Sequence, residues 1–229
     1  MEGDESSFSS TFLVLFSLFI TCLLVSNIIA GKLIAIFGLV LPSAVILFPV
    51  TYILGDVFTE VYGFRKTRIV IWGGFAANLL MSLIFIAAVA LPVPDFFKGG
   101  QAYATVLGMT PRMVVASLIA YWMGEFANSI TLSLLKKATR GRYLWTRTIS
   151  STVVGQGFDT VIFIAIGFVG NVPTPVLAQM MIAQYLFKVG YEVLLTPLTY
   201  AIVGAIKRKE GIDVFDSGVA YNPFRLGGR

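Results

Sequence analysis

Six ionisable residues fall inside apolar stretches of this sequence: Asp56, Glu60, Glu125, Asp159, Lys188 and Glu192. A charge at the centre of a membrane helix costs about 2.5 to 3.5 kcal/mol on insertion scales, so their presence needs a chemical reason. A carboxylate accepts two parallel hydrogen bonds from a planar edge that carries several N–H donors. The amides of Asn27, Asn78, Asn128, Gln156 and Gln184, with the Thr160 hydroxyl, could complete such a cradle. Phe48, Tyr52, Phe158, Tyr185 and Tyr191 could offer flat faces for stacking, although most aromatics in such helices pack against neighbours or lipid. Together these groups suit a purine-like solute bearing an amino group.

Spacing constrains how these residues pair. Lys188 and Glu192 are four apart, share one helix face and can pair, in the weaker Lys-before-Glu order. With one acid neutralised in this way, at least two of Asp56, Glu125 and Asp159 still lack an obvious cation. Such acids must be protonated, hydrated in a cavity or opposed by a donor-rich ligand. Glu60 lies within a turn or two of Arg65, so its depth reads as an interfacial ion pair. Asn78 and Asn128 also read as fasteners between helices, and Gly124, Gly155 and Gly190 as close-packing sites. Pro197 frees a backbone carbonyl and bends its helix.

The elements that must position these residues are dictated by composition. Of 229 residues, 57% are hydrophobic and only 13% charged, with a mean hydropathy of +0.85. That leaves too little polar surface for a water-soluble globule, so lipid is the solvent. A spanning helix needs about 20 apolar residues, and the sequence predicts an all-α polytopic membrane protein with six spans, at 12–31, 42–62, 69–91, 112–135, 149–170 and 176–206. A short apolar hairpin over 33–41 precedes the second span, since Pro42 and Pro49 interrupt this stretch. The connections are short and carry turn residues, which predicts one domain over 1–229. The N-terminus holds Glu2, Asp4 and Glu5 where a secretory signal needs basic residues, so the first span is expected to be retained. A 3+3 repeat is suggested only faintly, by Gly55 with Asp56 against Gly157 with Asp159.

Lys and Arg concentrate in alternate connections: Arg65, Lys66 and Arg68; then Lys136, Lys137, Arg140, Arg142 and Arg147; then Lys207, Arg208 and Lys209. The positive-inside bias puts these segments and both termini in the cytoplasm. The tail over 207–229 lacks a periodic apolar stripe and is expected to be loosely ordered beyond Glu210. The net charge of +5 therefore encodes topology, with no nucleic acid as partner.

Several chemistries are excluded. The chain has no His and one Cys, Cys22, so histidine metal sites, His-dependent triads and an intrachain disulfide are all absent. No phosphate-binding G-x-x-x-x-G-K-[ST] sequence occurs, so ATP does not drive this chain directly. Energy comes from gradients, from trapping of the solute, or from a partner. Asp56 and Glu60 at i, i+4 could form a catalytic dyad, but no nucleophile constellation or cofactor motif accompanies them. The expectation is a non-enzyme without cofactor or metal.

The segment Phe48-Pro-Val-Thr-Tyr-Ile-Leu-Gly-Asp56-Val-Phe-Thr-Glu60-Val-Tyr-Gly63 resembles the signature of the queuosine precursor transporters, also called the vitamin uptake transporter family. Ser26-Asn27, Arg112 with Ala116-Ser117 and Ala120-Tyr121, Gly155-Gln156-Gly157-Phe158-Asp159-Thr160 and Phe187-Lys188-Val189 resemble it too, so the likeness spans nearly the whole chain. The resemblance implies a six-helix inner-membrane importer of 7-cyano-7-deazaguanine and 7-aminomethyl-7-deazaguanine, salvaged for tRNA queuosine. It also implies distant kinship with substrate-binding subunits of energy-coupling-factor importers. Carried onto matching positions, it makes Asn27, Asp56, Asp159 and Lys188 binding or gating residues. Gln156, Glu125, Asn128, Tyr52 and Phe158 complete the candidate substrate-binding set, with Glu125 outside the matching stretches. In the expected mechanism Asp159 or Asp56 holds the amino-pyrimidinone edge, an amide fixes the carbonyl and an aromatic ring stacks on the base. The partners are this base and the bilayer; a homodimer and an energy-coupling module are left open.

Overall fold

The structure, a computed structural model, describes residues 8–30, 32–36, 39–108, 111–171 and 173–225. The first helix, α1 (Ser10–Ile29), starts where the Ser9 hydroxyl accepts a hydrogen bond from the Phe12 amide at 3.0 Å, satisfying one of the unpaired donors of a helix start. The apolar hairpin expected over 33–41 is present as two antiparallel strands, β1 (Leu33–Ile36) and β2 (Leu39–Pro42). The next helix, α2 (Phe48–Val57), begins six residues later than the sequence suggested. A 3-10 turn over Ser43–Ile46 intervenes, and Pro49 takes the first helical turn, where no amide donor is needed.

Five residues, Phe58–Tyr62, then form a π-helical turn that leads into α3 (Gly63–Ala90). A short helix, α4 (Gly100–Leu107), lies in the following connection and was not expected. Three long helices complete the chain: α5 (Pro111–Ala138), α6 (Leu144–Phe168) and α7 (Thr174–Glu210). Among the described residues five helical stretches are long and apolar enough to cross a membrane, one of them the 43-residue Phe48–Ala90.

That 43-residue stretch reverses direction at Gly63. Near one end of α1 the Ser43 hydroxyl donates to the Ile29 carbonyl at 2.5 Å, and near the other the Phe58 ring meets that of Phe12 at 5.4 Å, so α2 runs antiparallel to α1. From there α3 returns alongside α1: the Lys66 ammonium lies 6.0 Å from the Phe12 ring centre, and the Asn27 amide donates to Asn78 at 2.6 Å. Gly63 sits at φ 81°, ψ 165°, a conformation essentially confined to glycine.

α5 and α6 pack backbone to backbone. A Cβ on Gly124 would lie 2.8 Å from that of Asp159, and one on Gly155 would lie 2.9 Å from the Gly124 carbonyl oxygen and 2.7 Å from the Asn128 Cβ. Both glycines are close-packing sites, as expected. Gly190 is not one: among the described residues nothing lies within 4 Å of a Cβ placed there. Gly155→Ala is expected to push the two helices apart and to cost about 1 to 3 kcal/mol, as overpacking does. Thermal unfolding of the purified protein would show this as a lower midpoint.

The end of the bundle that carries the basic segments is pinned by one carboxylate. Glu60 is ion-paired at this basic end, as expected, and is fully buried within the protein. Arg147 donates to both of its oxygens, at 2.8 and 2.7 Å, Lys207 donates at 2.6 Å, and the Lys136 ammonium lies 3.6 Å away. Its described partners are three cations from α5, α6 and α7. A planar guanidinium matches a carboxylate bidentately, which makes this the strongest pair of the group.

The segment after α7 is docked on this end, not loosely ordered. Asp216 is buried and accepts from the Phe64 amide at 3.0 and 3.1 Å and from the Ser133 hydroxyl at 2.5 Å. The Val214 amide donates to the Val61 carbonyl at 3.2 Å, Arg68 donates to the Asn222 carbonyl at 2.8 Å, and the Trp72 indole donates to the Pro223 carbonyl at 2.8 Å. Asp213 accepts from Lys136 at 2.5 Å and lies 2.8 Å from Lys207. Burial alone would raise the Asp213 carboxyl, but hydrogen bonds from Lys136 and Lys207 outweigh it and hold the group below its ordinary value. What Asp213 contributes to docking is therefore present above the unfolded carboxylate pKa, about 3.9, and is lost as the pH falls through the lower folded one.

Candidate functional site

One turn before Glu60 on the α2 segment, and deeper in the bundle, is a small cavity lined by Tyr52, Gly55, Asp56, Glu125, Asn128, Thr152 and Gln156. Three elements build it. α2 supplies Tyr52, Gly55 and Asp56, α5 supplies Glu125 and Asn128, and α6 supplies Thr152 and Gln156, which are four apart and so share a face. The seam between α2 and α5 is held by two neighbouring hydrogen bonds, Asn128 to Asp56 at 3.2 Å and Thr59 to Ser129 at 3.1 Å. Gly55 lies beside Glu125: a Cβ there would stand in ordinary contact, 3.5 Å from Glu125 Oε2. The Phe48 ring stacks on Tyr52 at 6.0 Å, holding a flat face at the cavity wall.

The polar atoms around the cavity are under-satisfied. Asp56 Oδ2, Asn128 Oδ1, Gln156 Oε1, Thr160 Oγ1 and both carboxyl oxygens of Glu192 are buried without a hydrogen-bond partner among the described residues. Asp56 is 2% exposed and Glu192 1%. Buried acceptors without donors cost about 1 to 3 kcal/mol each, and nearly all native structures avoid them. Of these residues Asp56, Asn128 and Gln156 line the cavity, and acceptors gathered there are what a ligand rich in N–H donors would satisfy.

Lys188 does not neutralise Glu192, its neighbour at i+4. It reaches across from α7 to α6 and pairs with Asp159, and among the described residues no cation pairs with Glu192. Asp159 belongs to the wall behind the cavity, its Cβ packed against Gly124, one residue from the acid Glu125. Asp56 and Glu125 are the two lining acids with no described ion pair, as the count of cations implied.

Of the candidate residues, Asp56, Glu125, Asn128, Gln156 and Tyr52 therefore meet at one cavity, and Asp159 with Lys188 stands next to it. Asn27 is elsewhere, committed to Asn78 at the α1–α3 contact. Phe158 is 46% exposed on the outside of α6, because two residues beyond Gln156 is about 200° around the helix. Thr152 was missed, although its spacing of four from Gln156 marks it as a neighbour on the same face.

An α-helical bundle with several membrane-length helices and a buried polar cavity defines a multi-pass membrane protein of the solute-handling class. Residues 42–202 match the family described as "Putative vitamin uptake transporter"; the chain belongs to this family and is a membrane transporter. It is similar to the "Probable queuosine precursor transporter" of Bacillus subtilis (strain 168), with 27% identity over 186 residues that cover 81% of each chain. No solved structure matches.

Proposed function

We propose that this protein imports queuosine precursors, 7-cyano-7-deazaguanine and 7-aminomethyl-7-deazaguanine, across the bacterial inner membrane. The observation that carries the reading is the set of partnerless acceptors around Asp56. The 2-amino group and ring N–H of a 7-deazaguanine form a planar donor edge, and a carboxylate accepts both at once. Asp56 is better suited to that edge than Asp159, whose carboxylate is paired with Lys188. Asn128 or Gln156 then binds the ring carbonyl, and Tyr52 stacks on the base. No covalent step is needed, and the protein acts as a carrier rather than an enzyme.

The reversal at Gly63 supports dividing Phe48–Ala90 into two passes, making six in a single membrane domain. An even number agrees with both termini at the basic, cytoplasmic end. The cavity encloses about 10 Å³, room for one water-sized sphere, so the helices must part before a base can enter. This is the occluded form of an alternating cycle.

The test is uptake of radiolabelled 7-aminomethyl-7-deazaguanine by liposomes containing only the purified chain. Entry well above that into empty liposomes is expected. Tight binding without entry would instead support a substrate-binding subunit that needs an energy-coupling module, and neither binding nor entry would reject the substrate.

A further inference from the structure

The cavity and the pinned end of the bundle share one piece of chain. Asp56 and Glu60 are four residues apart, and the π-helical turn over Phe58–Tyr62 begins between them. Such turns are uncommon and concentrate at functional sites, because the extra residue per turn lets the helix register shift. The π turn thus starts between the cavity carboxylate and the carboxylate that pins the basic end.

Glu60 in turn holds α5, α6 and α7 together through Lys136, Arg147 and Lys207. The segment over 211–225 lies across the same end. It is fixed to the π turn by Val214, to the start of α3 by Asp216 and Asn222, and to α5 through Asp213 with Lys136. Tyr221 also packs its ring on Phe64 at 5.1 Å and shares a hydrogen bond with Ser133 at 2.9 Å. Its attachments to α3 and α5 are spread over several residues, as in a strap that holds separate helices in register. These contacts are mostly hydrogen bonds to backbone carbonyls, with one half-exposed charge, Asp213, and one buried one, Asp216, so the strap is docked on the bundle rather than built into the packing between its helices.

We propose that the 211–225 strap, together with Glu60, is the inner gate of the transport path, and that it must come away from α3 and α5 for solute to leave at the basic end. The gate rests on the import reading above. Binding at Asp56 and release of the strap are then two ends of one lever, with the π turn as its joint.

Locking the strap tests this. In a Cys22→Ser parent, Lys137→Cys and Tyr221→Cys place thiols where the lysine ammonium now lies 5.9 Å from the tyrosine ring centre. A short bis-methanethiosulfonate reagent can bridge them, and a reductant releases the bridge. Uptake of 7-aminomethyl-7-deazaguanine is expected to fall at least tenfold when the bridge forms, relative to the same double-cysteine protein before the reagent is added, and to recover on reduction, while the reagent does not change the rate of either single-cysteine protein from its own starting value. Unchanged uptake with the bridge complete overturns the gate. If the unaltered chain takes up no base, the import reading fails and the gate fails with it. On the unaltered chain, exchange of the Val214 amide is expected to quicken severalfold in saturating base; equal exchange with and without base also overturns the proposal.

Discussion

Glu60→Ala is expected to destabilise the protein by about 3 to 5 kcal/mol, the usual cost of removing one partner from a buried ion pair. The side chain is fully buried, and so are Arg147 and Lys136, each 2% exposed. Deleting the carboxylate leaves the Arg147 guanidinium with only the Arg142 carbonyl, at 2.6 Å, among its described partners. A buried cation without a counter-charge cannot recover its hydration, and Arg does not lose its proton. Asp213→Asn is the control. It touches two of the same lysines, but the Asp213 side chain is 45% exposed, and solvent screens such a pair. Denaturant or thermal unfolding in detergent should therefore separate the two variants widely; equal losses would mean that Glu60 is not the post on which this end of the bundle is built.

The second large effect has the opposite sign. Glu192→Leu is expected to stabilise the protein by up to about 2.5 to 3.5 kcal/mol, the penalty for a charge at a helix centre. Neither oxygen of that carboxyl has a partner among the described residues, so no hydrogen bond is lost. Asp56→Asn should be neutral or mildly stabilising for the same reason, because its Oδ1 remains an acceptor for Asn128. The Asp56 change should also weaken handling of the base, because Asp56 lines the cavity. One charge-assisted hydrogen bond contributes about 1.5 to 3 kcal/mol, which is about ten- to a hundredfold in affinity. Groups that raise stability when removed and lower transport when removed are held for function, as strained sites commonly are.

The membrane helices were legible because an apolar window of about 20 residues is a strong signal. The hairpin before α2 was legible from its two prolines. The acids of the cavity were visible for the reason that they violate the bilayer's chemistry, and α2, α5 and α6 bring Asp56, Glu125, Asn128 and Gln156 to one place. Pairing was less legible. Spacing linked Lys188 to Glu192, yet a lysine in that order gains little from its own helix, and Asp159 on α6 outcompetes Glu192. For Glu60 the sequence reading gives an ion pair near the basic loop, but spacing cannot show that three cations from other helices, which also mark topology, converge on it. The strap was invisible because its docking depends on backbone carbonyls of residues 220–223 and on two aspartates, none of which leaves a periodic trace. α4 was missed because eight residues between Pro94 and Pro111 are too few for a span and resemble a loop.

The account stands on Asp56 as the carboxylate that receives the solute's donor edge. Equilibrium binding of 7-aminomethyl-7-deazaguanine to purified wild-type and Asp56→Asn protein, with thermal midpoints taken on the same samples, tests it most directly. A dissociation constant at least tenfold weaker in the variant, with an equal or higher midpoint, is the predicted result. Equal affinity in two equally folded proteins would contradict it.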